Sequence, residues 1–191
     1  MTPLETLAAW LDEARRAGIE EPEAMALATA DASGAPSVRI VLCRGIDADG
    51  VLFFTSYESR KGRELAANPR ASIAIHWAAL RRQVRIEGVV EKLSAPESDA
   101  YFHSRARGSQ LAASVSPQSA EIESLDWLKE RQRALEATLA GREVPRPATW
   151  GGYRLRARAI ELWTAGADRL HKRIRYERDG AGWSPGSALA P

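Results

Sequence analysis

The amino-acid sequence predicts a mainly β fold with helices, α+β in class: a small antiparallel barrel with peripheral helices. Three observations lead there. From Met25 to Leu93 short apolar runs alternate with turn residues, the pattern of strands joined by tight connections. Those connections are too short for crossovers, which favours antiparallel neighbours and, in series, a barrel. Outside this region stand two helix-start signals of the Ser/Thr-x-x-Glu kind and one long helical segment.

Thr2-Pro3-Leu4-Glu5 opens the first helix, with Thr2 as N-cap, Pro3 at the first helical position and Glu5 closing a capping box. Leu4, Leu7, Ala8 and Leu11 form its apolar stripe, and Gly18 stops it, giving a helix over about 3–17. Strands are expected at Ala24–Thr29, Ser37–Arg44, Val51–Ser56, Ala71–Trp77 and Gln83–Leu93, with hairpin turns at Asp31–Gly34 and Asp47–Gly50. A short helix fits Ser59–Asn68, stopped by Pro69. Ser94-Ala-Pro-Glu97 opens another through Tyr101, and Glu121–Ala140 is the longest helical segment. Gly141–Thr149, with two prolines, reads as a loop. Strand character returns from Gly152, through Ile160–Trp163 and Ile174–Tyr176. Without repeats or a linker, residues 1–191 are expected to form a single domain.

Composition excludes several function classes. Twenty-seven basic residues against 25 acidic ones leave a net charge of +2, too balanced for a nucleic-acid or membrane-surface protein, so any functional positive potential must be local. The single cysteine, Cys43, excludes an intrachain disulfide, and the widely spaced His76, His103 and His171 give a metal site no support. The N-terminus does not have signal-peptide form, and no apolar run reaches the roughly 20 residues of a membrane helix. The expected compartment is the cytoplasm. No phosphate-binding glycine loop and no nucleophile elbow is present.

Three clusters carry candidate chemistry. Ser59-Arg60-Lys61 places two cations at a helix start, where the macrodipole favours anions. The segment is either a solvated basic turn or an anion site made of N–H groups, Arg and Lys. Tyr101, Arg105 and Ser109 recur every four residues; on an unbroken helix they would share one face, either as a second anion site or as a polar surface. Arg169, His171 and Arg173 would share one side of a strand, as a site or as an exposed basic edge.

In their order along the chain these clusters resemble the pyridoxine/pyridoxamine 5′-phosphate oxidase family. The resemblance is carried by Arg39-Ile-Val-Leu-Cys-Arg44, Phe53-Phe-Thr55, Ser59-Arg-Lys61, Asn68-Pro-Arg70 and Arg82-Gln-Val84. It continues through Tyr101-Phe-His-Ser-Arg105, Ser109-Gln110, Ser116-Pro-Gln-Ser119, Trp150-Gly-Gly152 and Arg169-Leu-His171. It implies an FMN-binding split β-barrel, a homodimer with FMN between the subunits, and a C-terminal dimerisation and substrate segment over about 150–191. By resemblance Arg39, Arg60, Lys61, Gln118 and Ser119 hold FMN, largely at its phosphate, and Phe54, Thr55, Gln83, Trp163 and Arg173 complete the flavin pocket. Arg44, Tyr101, Arg105 and Ser109 bind the substrate phosphate. Arg169 and His171 are the catalytic pair at the reacting carbon and also bind substrate. The implied reaction converts pyridoxamine or pyridoxine 5′-phosphate to pyridoxal 5′-phosphate, with transfer of a hydride equivalent from C4′ to flavin N5 and molecular oxygen as final acceptor.

The chain departs from the family pattern in three places. Arg44 stands where lysine is usual, and a planar fork is not equivalent to a point donor. The sequence starts at the family's first core helix, without the extended arm that often covers the substrate, and Ala188-Leu-Ala-Pro191 replaces the usual Arg-Leu-x-Pro. Two alternatives follow: a related flavin oxidase acting on reduced phenazine-type carboxylates, and a non-catalytic FMN or pyridoxal-phosphate binding module.

Overall fold

The computed structural model describes all residues from Met1 to Pro191. Helix α1 (Pro3–Arg16) begins where the capping box places it. The Glu5 N–H donates to Thr2 Oγ1 at 3.2 Å, and the Thr2 N–H donates to the Glu5 carboxylate at 2.7 Å. Its stripe of Leu4, Leu7, Leu11 and Ala14 is buried. Gly18, at φ +69°, takes the chain out of the helix in a conformation that favours glycine.

Six strands and one helix follow: β1 (Ala24–Ala30), β2 (Pro36–Leu42), β3 (Gly45–Ile46), β4 (Gly50–Ser56), α2 (Arg60–Ala67), β5 (Arg70–Trp77) and β6 (Arg82–Lys92). Both expected turns are held by an aspartate. Asp31 accepts from the Ser33 and Ala35 N–H groups, and Asp47 accepts from those of Asp49 and Gly50. The second turn joins β4 not to β2 but to the short β3, which forms after Leu42 ends the preceding strand. Then come α3 (Ala95–Ser104), α4 (Arg107–Val115), α5 (Leu125–Leu139), β7 (Trp150–Thr164), β8 (Lys172–Asp179), β9 (Gly182–Trp183) and β10 (Ser187–Ala188).

The strands form one antiparallel sheet in the order β10-β8-β7-β6-β5-β1-β2. β7 pairs with β6 along nearly its whole length. Its other edge is shared: residues 150–156 pair with β4, and residues 159–164 pair with β8. The sheet curls until β2 and β4 approach, but these two do not pair, so the barrel is split along that seam. Its interior is filled by Met25, Leu27, Phe53, Ile73, Ile75, Ile86, Leu155 and Ile160, with α1 packed against them. No helix is long and apolar enough to cross a membrane.

Three local expectations change. The helix opened by Ser94 ends at Ser104, and Arg105 takes an extended backbone (φ −78°, ψ 153°) before α4 begins. The break is stabilised by Gln110, whose Nε2 donates to the carbonyls of His103 and Arg105. Tyr101, Arg105 and Ser109 therefore do not share one helix face. The long helix starts at Leu125 rather than Glu121, because Ser124 caps it by accepting from the Trp127 N–H. Strand β8 starts at Lys172, so Arg169 and His171 precede it in a tight turn, with Arg169 at φ +64°, and the period-two alignment with Arg173 does not hold.

Phe53, fully buried in the barrel, sets a stability test. Phe53→Ala is expected to cost about 3–5 kcal/mol in urea denaturation. Leu125→Ala, at a side chain that is 69% exposed, should stay within about 0.5 kcal/mol.

Candidate functional site

The seam between β2 and β4 opens into a cavity of about 340 Å³, lined by Arg39, Arg44, Phe54, Thr55, Lys61, Tyr101, Arg105, Gln118 and Trp150 among others. A second cavity of about 260 Å³ adjoins it, sharing Arg105, Gln118 and Trp150 and adding Ser109. Nine candidates from the sequence thus meet here: Arg39, Arg44, Phe54, Thr55, Lys61, Tyr101, Arg105, Ser109 and Gln118. Ser119 follows Gln118 and is exposed, at φ +72°.

The charge balance of this pocket is the feature that matters chemically. Lys61 is 8% exposed, yet no carboxylate bonds it. Its Nζ donates to Thr55 Oγ1, Ser59 Oγ and Gln118 Oε1 at 3.0, 3.2 and 2.9 Å, all neutral acceptors. Burial, followed by the neighbouring positive charge of Arg39, lowers its pKa to about 8. Arg105 is in a similar state. Its Nη1 is buried without a hydrogen-bond partner, and desolvation, then the like charge of Arg44, depresses its pKa. Arg44 itself is exposed and makes no side-chain ion pair.

Helix α2 delivers Lys61 because Ser59 caps it, accepting from the Gly62 N–H, with no acidic residue in the first turn. Gly62 is required there, since a Cβ would sit 2.2 Å from the Tyr57 carbonyl oxygen. The one carboxylate of the cluster, Glu64, was not singled out by the sequence pattern. It accepts from Ser37, Thr29, Arg60 and Arg39, and these bonds outweigh its burial and hold its pKa down at about 2. It consumes the charges of Arg39 and exposed Arg60, but not those of Lys61 or Arg105. A signal for it existed: Arg60 and Glu64 are spaced i, i+4 on a helix.

The remaining candidates form a second group elsewhere. Gln83, Trp163 and Arg173 sit opposite one another across β6, β7 and β8. The His171 ring lies 4.7 Å from that of Trp163, and the His171 Nδ1 accepts from the Gly166 N–H at 3.3 Å. Arg173 donates to Glu161 at 2.8 Å and to the Ala190 carbonyl at 2.8 Å. Arg169 is exposed beside Leu170, itself 71% exposed. Thr55 pairs with Gly151, so the two groups attach to opposite ends of β7, separated by about 40 Å of strand contour. One chain does not join them.

Known proteins resemble this chain in sequence and in fold. The Pyridoxamine 5′-phosphate oxidase family model matches residues 11–138, and that of the Pyridoxine 5′-phosphate oxidase C-terminal dimerisation region matches residues 150–191. A pyridoxine/pyridoxamine 5′-phosphate oxidase of Bordetella avium is 54% identical over 95% of this chain and 86% of its own. One from Rubrobacter xylanophilus is 50% identical over 95% of this chain and 83% of its own. Among solved structures, PhzG from Burkholderia lata 383, in complex with tetrahydrophenazine-1-carboxylic acid, superposes with a TM-score of 0.93 at 38% identity, covering 100% of this chain and 93% of that one. With both family models matching in order and half the residues identical across nearly the whole length, this chain belongs to the pyridoxine/pyridoxamine 5′-phosphate oxidase family.

Proposed function

We propose that the protein is a cytoplasmic FMN-dependent oxidase, one domain over 1–191, that converts pyridoxamine or pyridoxine 5′-phosphate to pyridoxal 5′-phosphate and passes the electrons to molecular oxygen. One observation carries the reading: two cations, the buried Lys61 and the partly buried Arg105, face adjoining cavities without an anionic partner. Buried charges are ordinarily paired, so this pocket is built for anions supplied from outside, and the reaction requires a cofactor phosphate and a substrate phosphate. The chain's residues fit FMN. Arg39, Arg60 and Lys61, with Gln118 and Ser119 and the N-terminus of α2, would hold its phosphate; Phe54, Thr55, Gln83, Trp163 and Arg173 would complete the pocket.

Bound FMN would supply a two-electron acceptor that oxygen can regenerate. The protein's part is positioning and electrostatics. Arg44, Tyr101, Arg105 and Ser109 would hold the substrate phosphate, and Arg169 and His171 would orient the pyridine ring at its reacting carbon. With Nδ1 of His171 accepting from Gly166, the neutral ring carries its proton on Nε2 and offers a donor there. The distance along β7 between the two residue groups favours a homodimer in which each site draws one group from each subunit. The match of residues 150–191 to a dimerisation region agrees with it, as do the exposed Val38 and Ile40 on edge strand β2.

A second reading, oxidation of a reduced phenazine-type carboxylate, draws on the likeness to PhzG and on exposed Arg44. Aerobic turnover of the FMN-loaded protein with both substrate classes separates them. Pyridoxal 5′-phosphate and peroxide are expected from the vitamin B6 phosphates, and no turnover of either would overturn the proposal. Light scattering of the loaded protein should give a dimer; a monomer that retains FMN would contradict the shared site.

Lys61 yields a prediction with a worked sign. With its pKa depressed to about 8, its charge is present at neutral pH and lost as pH rises through that value, whereas a phosphate monoester is already a dianion above about pH 6. FMN affinity, measured by fluorescence quenching, should therefore fall above pH 8. Lys61→Met should weaken FMN binding by about tenfold or more at neutral pH and abolish that dependence. Because the buried ammonium opposes folding, the FMN-free variant should melt about 2–4 °C higher than the parent.

A further inference from the structure

Trp150 has no part in the roles proposed above, although it lines both cavities. It is the first residue of β7, is 6% exposed, and pairs with Ser56 of β4. Its backbone is fixed from two directions. The N–H donates to the Pro147 carbonyl, and the carbonyl accepts from Arg146 Nη1 at 2.6 Å, while Arg146 Nε is bonded to Asp99 of α3 at 2.6 Å. The indole lies parallel to Tyr101, with centroids 6.3 Å apart and planes 6° apart, and it meets Phe102 edge-on at 5.2 Å.

Over the indole sits the Arg105 guanidinium, its Cζ 4.7 Å from the ring centroid. Arg105 extends from the break between α3 and α4 and has no carboxylate partner. A guanidinium on a long side chain has many rotamers to choose from. Stacking on a tryptophan face attracts the cation to the ring and restricts where the group can lie. The ring thus does for Arg105 what a carboxylate would do elsewhere, but without neutralising it.

We propose that Trp150 is a positioning residue for substrate recognition. Its indole holds the Arg105 guanidinium, which lines both cavities and carries no counter-charge, at their boundary, where it can attract the anionic group of the substrate. The proposal rests on the reading of Arg105 as a substrate-phosphate ligand. It assigns the oxidase a determinant of substrate affinity that touches Arg105 rather than the reacting atoms. A carboxylate in place of the ring would hold the guanidinium equally well and would repel the substrate phosphate.

A double-mutant cycle on the FMN-loaded protein tests it. Dissociation of pyridoxal 5′-phosphate is read by calorimetry, KM and kcat come from turnover of pyridoxamine 5′-phosphate, and FMN affinity and Tm serve as controls. Trp150→Leu is expected to raise Kd and KM about tenfold, which is about 1.4 kcal/mol, with kcat within about twofold. In an Arg105→Ala background the same change should add less than about twofold, because the group it positions is gone. Equal effects of Trp150→Leu in both backgrounds, or none in the parent, would overturn the role of Trp150. An unchanged Kd in Arg105→Ala alone would instead overturn the assignment of Arg105, so the two failures are distinguishable. If Trp150→Leu does not fold, Trp150→Phe gives up part of the ring overlap. It should show a loss of about threefold that also disappears in the Arg105→Ala background; persistence of that loss would overturn the proposal.

Discussion

The length of one strand constrains everything else in this protein. β7 runs for 15 residues, about 50 Å of contour, which is more than a small barrel needs. Its first half closes the barrel wall against β4, and its second half extends past the wall to pair with β8. The register between β6 and β7 shifts at Glu87 and Gly88, leaving Arg158 of β7 as the bulged residue where the change of partner occurs, and bulges bend and twist a strand at such points. The cationic seam therefore hangs from one end of β7, and Trp163, His171 and Arg173 from the other. The proposed site, which draws on both ends, would take one group from each subunit of a homodimer.

Within the seam, local interactions decide which charges remain available. Glu64 alone engages Arg39 and Arg60, so their geometry is fixed by an ion-pair cluster with hydroxyls from Thr29 and Ser37. Lys61 and Arg105 are held by neutral partners, an oxygen triad in one case and an indole face in the other. Holding a cation without neutralising it costs stability, since desolvation is not repaid by a counter-charge. That cost is the usual mark of a binding site in a fold that otherwise pairs its charges, as Arg154 does with Asp47 and Glu91.

Much of the local structure was legible from residue chemistry. Thr2 and Ser94 each cap a helix in partnership with the glutamate three residues on, and Asp31 and Asp47 each organise a turn within four residues of themselves. Such signals are short-range, so a sequence displays them directly. The ordered motifs around Arg39, Ser59, Tyr101, Trp150 and Arg169 also sufficed to identify the family. The misreadings lie where a break in the backbone interrupts a regular spacing. The four-residue spacing of Tyr101, Arg105 and Ser109 suggested one helix face, but Gln110 folds back on the carbonyls of His103 and Arg105 and stabilises a break. The residues still converge on adjoining cavities, by another route. The alternation of Arg169, His171 and Arg173 likewise suggested one strand, whereas Arg169 lies in a left-handed turn conformation before it.

By itself the sequence determined most of the elements with their caps and turns, though not α4 or the short β3, β9 and β10, together with the antiparallel barrel class and the identities of most pocket residues, because each depends on contacts within a few positions along the chain. Only the tertiary structure decided how β7 divides its edge, which cations Glu64 neutralises and which stay unpaired, and that Trp150 lies beneath Arg105. Those outcomes depend on residues from 25 to more than 100 positions apart meeting across a curled sheet, and pairing at that range is set by the summed packing of the whole barrel, which no local pattern records.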